Sequence, residues 1–265
     1  MFDAFNRAIT YLRISVTDRC NLRCTYCMPD EGITLKRHAD ILSFEEIEAL
    51  TRVAVELGIT KVRITGGEPL VRTGIIDLVQ RLAGIQGIVD LALTTNGTLL
   101  PRFADSLRDA GLHRINISLD CVDPQRFAAI TRGGSVADVL RGIEAARDAG
   151  FQKVKLNCVI ASSPDEPDAQ AVAAYGAARG LEVRFIRRMN TGAGEFWRVI
   201  GGDGGHCERC NRLRVSSDGL VFPCLFSDIS YGVRELGARQ ALLAAVANKP
   251  AAGCHSDNRF YALGG

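Results

Sequence analysis

The chain is predicted to fold as an α/β protein with parallel strands, on three observations. Short β-branched runs recur along its 265 residues, stretches of helical periodicity separate them, and the chemically informative residues sit just after the runs. The strand candidates are 11–17, 61–65, 89–95, 114–119, 154–160 and 182–189. Parallel neighbours need a crossover long enough to hold a helix, and the gaps provide one. In the first gap Ser43 and Glu46 form a capping-box signature, after which Phe44, Ile47, Leu50, Val53, Ala54 and Leu57 keep one helical face until Gly58. Further helices are predicted at 74–82, 101–110, 136–149 and 167–178. Six such units can form an open sheet or a curved partial barrel, and in both ligands gather at the carboxyl ends of the strands. Cys20 follows the first strand there, Gly66-Gly67-Glu68-Pro69 the second, and Asn96-Gly97 the third.

From 190 to 205 the composition turns Gly-rich and irregular, as in a linker, and a cysteine-bearing segment then leads to a helix near 233–248. The expected division is therefore a first domain at 1–189 and a second part at 190–265 holding linker, cysteine segment and tail. No internal repeat and no low-complexity tract is evident.

With 32 basic against 30 acidic residues the net charge is +2, too small for a global field that grips nucleic acid. Anion binding must come from locally gathered arginines. Nine cysteines, an odd number, argue against a disulfide framework and for metal or catalytic thiols in a reducing compartment. Residues 1–10 lack a secretory apolar core, and no uninterrupted apolar stretch approaches the roughly 18 residues of a membrane span. A cytoplasmic protein with neither nucleic-acid nor membrane partners is expected.

Cys20, Cys24 and Cys27 are separated by three and two residues. Read alone, they are a zinc site one ligand short, or three ligands of a four-iron cluster whose last iron stays open to a small molecule. Cys207, Cys210 and Cys224 repeat the deficit, with two and then thirteen residues between them. A zinc ribbon would supply a fourth ligand at short spacing, for which His206 and Cys254 are the nearby candidates. Cys121 and Cys158 read as small buried hydrophobes, while His38, His113 and His255 lack partner spacing and receive no catalytic role. Trp197 serves either packing or a lid.

The run Cys-Asn-Leu-Arg-Cys-Thr-Tyr-Cys at 20–27, the Gly-Gly-Glu-Pro turn at 66–69 and Thr-Thr-Asn-Gly at 94–97 together resemble the radical S-adenosylmethionine (SAM) superfamily. The resemblance implies a 4Fe-4S cluster on Cys20, Cys24 and Cys27 whose open iron takes the amino and carboxylate groups of SAM. One electron passed into the sulfonium then breaks its carbon–sulfur bond. It also places Tyr26, Gly66, Gly67, Glu68, Ser118 and Met189 around the cofactor, the two glycines allowing close backbone approach.

The second cysteine block, the opening strand and the final Gly264-Gly265 look like the GTP 3',8-cyclase family (molybdenum cofactor biosynthesis protein A), over 11–189 and 207–265. This narrower likeness implies a partial (βα)6 TIM-type barrel with a small C-terminal iron-sulfur cap. It implies a second 4Fe-4S cluster on Cys207, Cys210 and Cys224, open toward the purine of GTP. The reaction implied is conversion of GTP to 3',8-cyclo-7,8-dihydro-GTP in the first step of molybdenum cofactor biosynthesis. Arg13, Gly264 and Gly265 carry over as catalytic. Arg13, Lys61, Arg63, Thr94, Lys155, Arg184, Arg212, Leu213 and Arg214 carry over as substrate contacts. A flavodoxin or ferredoxin reductant and a following cyclic pyranopterin monophosphate synthase are the implied partners, and a homodimer is left open. The residues themselves point the same way: inward cations in an apolar barrel are costly unless an anion pairs with them, and a triphosphate supplies several charges. Lys61 and Arg63 share a strand face, as do Arg212 and Arg214 in an extended stretch. One departure stands out. Only 17 residues separate Met189 from Cys207, where the family carries several dozen more. A radical SAM enzyme acting on another nucleotide or a peptide is the alternative, and a non-catalytic iron-sulfur or zinc protein is a third reading.

Overall fold

The computed structural model describes residues 1–258 and 260–263. Its strand–helix units run β1 (Tyr11–Ser15), α1 (Phe44–Glu56), β2 (Lys61–Thr65), α2 (Ile75–Ala83), β3 (Asp90–Thr95), α3 (Leu100–Asp109) and β4 (Arg114–Ser118). Two helices, α4 (Pro124–Thr131) and α5 (Val136–Asp148), precede β5 (Val154–Ile160), and α6 (Pro167–Ala177) leads to β6 (Glu182–Arg187). The C-terminal part adds β7 (Arg212–Val215), β8 (Leu220–Phe222), β9 (Tyr231–Gly232), α7 (Val233–Leu236), α8 (Ala238–Ala247) and α9 (Phe260–Leu263).

All nine strands belong to one sheet, in the order β6-β5-β4-β3-β2-β1-β7-β8-β9. The first six are parallel and never reverse direction across the sheet. That winding belongs to a barrel and not to a doubly wound sheet, whose strand order turns back on itself. The partial (βα)6 barrel is thus the form adopted. β7 joins the free edge of β1 in parallel, and β8 and β9 follow antiparallel, so the cysteine segment continues the barrel wall.

Period-two alternation sorts the side chains. Leu12 and Ile14, Val62 and Ile64, Leu91 and Leu93, Ile115 and Ile117, and Leu213 and Val215 are buried together with the apolar stripes of the helices. Their neighbours along the strands, among them Tyr11, Arg13, Lys61, Arg63, Arg114 and Lys155, line a cavity on the opposite face. Ser43 caps α1 as expected: its hydroxyl accepts from the Glu46 N–H (3.1 Å) and its own N–H donates to the Glu46 carboxylate (2.7 Å).

Several boundaries differ from expectation for local reasons. Four of the predicted strands run one or two residues long. The helix expected at 233–248 is two helices, because Gly237 takes φ +78° and ends α7. α4 lay outside the expectation although its start carries a signal: the Asp123 side chain accepts from the Arg126 N–H and Pro124 occupies the first turn. The irregular stretch after β6 folds back, with Phe185 and Ile200 exchanging two backbone hydrogen bonds of 3.0 Å, which covers the edge of β6. No helix among the described residues is long and apolar enough to cross a membrane.

Candidate active site

The first cysteine set rides on the loop leaving the carboxyl end of β1. That loop is tied down from three sides. Gly67 and Glu68 donate their N–H groups to the carbonyls of Thr17 and Arg19 at 2.8 Å each. Arg72 donates to the carbonyls of Val16 and Leu42, both at 2.6 Å. The end of α4 holds the middle of the loop, where the N–H groups of Arg23 and Thr25 donate to the carbonyls of Thr131 and Ile130. The need for glycine here is steric: a β-carbon on Gly67 would lie 2.3 Å from the Arg19 carbonyl oxygen, and one on Gly66 would lie 2.8 Å from that of Thr17. Close packing onto the cysteine loop, more than approach to a ligand, thus accounts for both glycines.

Glu68 is fully buried and joins two turns. Its carboxylate accepts from Leu70 N–H (3.0 Å), the Thr95 hydroxyl (2.8 Å) and Asn96 N–H (2.7 Å). Asn96 in turn approaches the Cys20 sulfur at 3.9 Å. Tyr26 donates its hydroxyl to buried Asp120 at 2.7 Å, and the same carboxylate accepts from the Val159 N–H at 2.8 Å. Ser118 ends β4 opposite Asn157 of β5. Burial raises all three thiols of this set; Cys24 and Cys27 reach about 12, Cys24 pushed further by Asp120 and then Cys20, and Cys27 by Cys24 and Cys20. Among the described residues, no three Cys, His, Asp or Glu side chains converge as for a single ion.

The second set lies at the other end of the strands. Cys210 sits two residues before Arg212, the first residue of β7, and Arg212 is in register with Tyr11 at the start of β1. A five-residue strand spans about 17 Å, so roughly that distance separates the two cysteine sets along the barrel wall. The inner face holds a cavity of about 1020 Å³ lined by Cys207, Cys210 and Cys224; of the first set and the residues expected around it, only Met189 belongs to the described lining. Its described lining holds twelve Lys and Arg side chains against two Asp, which no composition-wide figure of +2 would suggest.

The strand register arranges the cations in rows. Arg63, Arg13 and Arg214 stand side by side on β2, β1 and β7, and Lys61, Tyr11 and Arg212 form the next row. Burial pulls Arg13 and Arg63 from their ordinary 12.5 down to about 9 and Arg214 down to about 10, with neighbouring arginines adding to the effect. Part of the ring is already matched: Arg114 makes a two-pronged bond with Asp90 (2.7 Å each), and Glu182 accepts from Lys155 (2.5 Å) and Arg184 (2.7 Å). The buried Nε atoms of Arg63 and Arg212 find no hydrogen-bond partner among the described residues. Thr94 sits 3.4 Å from Arg63 Nη1. Met189 lines the cavity beside Phe196, Leu225 and Phe226. Leu213 does not: its side chain is in the hydrophobic core, so any contact with a bound molecule passes through its backbone. Gly264 and Gly265 lie outside the described residues.

A profile of the radical SAM superfamily matches residues 14–172. GTP 3',8-cyclase of Thermodesulfovibrio yellowstonii is 42% identical over 282 residues, covering 89% of this chain and 88% of that protein. The chain belongs to the GTP 3',8-cyclase family of radical SAM proteins. The family's member from Pelotomaculum thermopropionicum is 41% identical, with 94% of each chain covered. Solved structures carry the fold alone at this distance. SuiB of Streptococcus suis bound to S-adenosylmethionine has a TM-score of 0.61 at 16% identity, covering 92% of this chain and 64% of that one. The enzyme anSMEcpe with bound AdoMet and a Kp18Cys peptide has a TM-score of 0.61 at 16% identity, covering 91% and 81%.

Family membership brings SAM and 4Fe-4S clusters, and the donor sets fit them: two groups of three thiols, one at each end of the inner face. Burial raises the Cys210 thiol, yet Lys249 and Arg212 outweigh it and hold that thiol below its usual value. Lys249 and the Arg114–Asp90 pair were not singled out by sequence reasoning, and Trp197, read as packing or a lid, lines the cavity. Only the alternation of β4, which turns Arg114 inward, signalled any of them; the others are brought together by tertiary packing.

Proposed function

We propose that the chain converts GTP to 3',8-cyclo-7,8-dihydro-GTP, the first step of molybdenum cofactor biosynthesis. The observation that carries this reading is the cavity lined by twelve Lys and Arg side chains together with Cys207, Cys210 and Cys224, in a chain that carries a second three-cysteine set. When bound, the first cluster and SAM supply the one-electron chemistry that opens the reaction. The chain's own residues have other tasks. Cys20, Cys24 and Cys27 hold the first cluster, with Tyr26, Gly66, Gly67, Glu68, Ser118 and Met189 shaping the SAM site around it. Cys207, Cys210 and Cys224 hold the second cluster at the purine end.

The row Arg63, Arg13 and Arg214, with Lys61, Lys155, Arg184 and Arg212, takes the triphosphate. Thr94 and the Leu213 backbone complete the contacts, and Gly264 and Gly265, outside the described residues, carry over with Arg13 as catalytic. The product joins C3' of the ribose to C8 of the base. The site must therefore hold those two atoms close and keep water and stray hydrogen donors away. The cavity offers both fixed cations for the phosphates and an apolar wall of Met189, Phe196 and Phe226 for the rest of the nucleotide. A peptide has no phosphate to match the arginine rows, which favours a nucleotide. We further assign a flavodoxin or ferredoxin as electron donor, a cyclic pyranopterin monophosphate synthase as the following enzyme, a division into barrel 1–189 and C-terminal part 190–265, and leave a homodimer as the assembly to test by light scattering.

The test is anaerobic reconstitution followed by mass spectrometry of products from GTP, SAM and dithionite. A cyclised guanosine species formed together with 5'-deoxyadenosine is the expected result. 5'-Deoxyadenosine without any cyclised guanosine species would transfer the proposal to another substrate.

A further inference from the structure

Two buried cations outside the cavity's arginine rows converge on the backbone that carries the second cysteine set. Arg7, 7% exposed, is aimed by Asp3, whose carboxylate accepts from its Nε at 2.6 Å. Its Nη1 donates to the Cys207 carbonyl at 2.7 Å and to that of Ala251 at 3.0 Å, and Nη2 donates to the Pro250 carbonyl at 2.6 Å. Lys249, 3% exposed, donates from Nζ to the carbonyls of Arg212 (2.7 Å) and Pro223 (2.5 Å). Pro223 immediately precedes Cys224, and Arg212 lies two residues beyond Cys210. One ammonium therefore ties together the two chain segments that present those cysteines, and Arg7 fixes the third while also bonding the carbonyls next to Lys249.

We propose that Arg7 and Lys249 are positioning residues for the second cluster, holding its three cysteines in register and setting a positive charge against their thiolates. Arg7 has the Asp3 carboxylate as its counter-charge, but burying the Lys249 ammonium for backbone carbonyls alone is a poor exchange, since carbonyls carry only partial charge. Thiolates ligating a cluster beside them supply the full negative charge that makes it favourable. The turn at Cys207–Arg209 has no buried residue of its own, so its placement depends on such ties. The inference rests on the second set holding a cluster, as proposed above.

The test compares wild type with Lys249→Met and Arg7→Met, each reconstituted anaerobically as the full chain. Wild type is expected to hold about eight irons and each variant about four, a twofold loss. The loss should fall on the second cluster, with 5'-deoxyadenosine formation from SAM retained at the first. Where Lys249→Met keeps its iron, the electron paramagnetic resonance signal of the second cluster should change and its reduction potential move negative. Variants with full iron, an unaltered signal and an unaltered potential would overturn the proposal. So would loss of both clusters together with the far-ultraviolet dichroism of the fold, which would assign the pair to the structure at large. A wild type holding only about four irons would instead remove the premise that the second set binds a cluster.

Discussion

Replacing Arg63 by Met should make the ligand-free protein more stable and its binding of GTP much weaker. Arg63 is 6% exposed, its buried Nε has no partner among the described residues, and Arg13 stands beside it in register. Burial, then Arg13, Arg114 and Arg184, pull it from 12.5 to about 9 against a partial offset from Tyr11. At 1.36 kcal/mol per unit this corresponds to at most about 5 kcal/mol of unfavourable charging. An arginine keeps its proton and the surroundings relax, so the net cost is smaller. Replacing buried charge by an apolar side chain of similar volume returns about 1–4 kcal/mol in comparable sites. Taking about 1–2 kcal/mol, the melting temperature should rise by roughly 2–8 °C. Binding should respond in the opposite sense, since losing a charge-assisted bond to phosphate costs about 2 kcal/mol, roughly thirtyfold in affinity. Anaerobic differential scanning fluorimetry with and without GTP, backed by calorimetric titration, reads both effects. If Arg63→Met lowers the melting temperature of the free protein, or leaves the GTP-induced shift intact, the view of this row as an anion site built at the expense of stability is wrong.

Three further outcomes follow. Gly67→Ala puts a β-carbon 2.3 Å from a backbone oxygen that no rotamer change can relieve; iron analysis should show about half the normal content while calorimetry still detects GTP, and full iron would count against the steric reading. Trp197, the one tryptophan of the chain, lines the cavity with the Arg187 guanidinium 3.9 Å from its ring centre; its emission should change on titration with GTP, and constant emission at calorimetric saturation would remove it from the base-binding wall. The hydrogen bond from Arg234, together with the Ser43 N–H, lowers Glu46 from 4.5 to about 2 despite burial. Its stabilising contribution is therefore complete above its unfolded value near 4.5 and is lost as pH falls toward about 2. Glu46→Gln should show a flatter acid-unfolding profile by circular dichroism in that window, and a profile identical to wild type would contradict this.

What was legible in the sequence is what depends on neighbours along the chain. Alternation on 61–65 and 212–214 announced which cations share a face, whereas Leu213, expected as a substrate contact, has its side chain in the core. The capping box announced α1, and the cysteine spacings grouped six of the nine thiols into two sets of three. What was not legible depends on register between distant segments. Nothing near Arg214 says that it pairs with Arg13 and so extends the row begun by Arg63, because β7 reaches β1 across some two hundred residues. Arg7 meets Cys207 across 200 positions for the same reason. Gly66 and Gly67 were legible as a requirement but not as to cause, since the atoms they must avoid belong to 17–19 on another loop.

Only 17 residues lie between Met189 and Cys207, fewer than the family resemblance implies. What the short segment does decides whether the departure matters. It pairs with β6 through Ile200, sets Phe196 against Phe226 with ring centres 4.8 Å apart, and carries Trp197, Val199 and Asp203 into the cavity lining. The wall is therefore present, built from fewer residues. Those residues stand at the apolar wall, whereas the arginine rows belong to β1, β2 and β7, which the segment leaves untouched apart from the Asp203 carbonyl that accepts from Arg212 at 3.0 Å. Shortening should accordingly bear on how the base is chosen while leaving the grip on the phosphates unchanged.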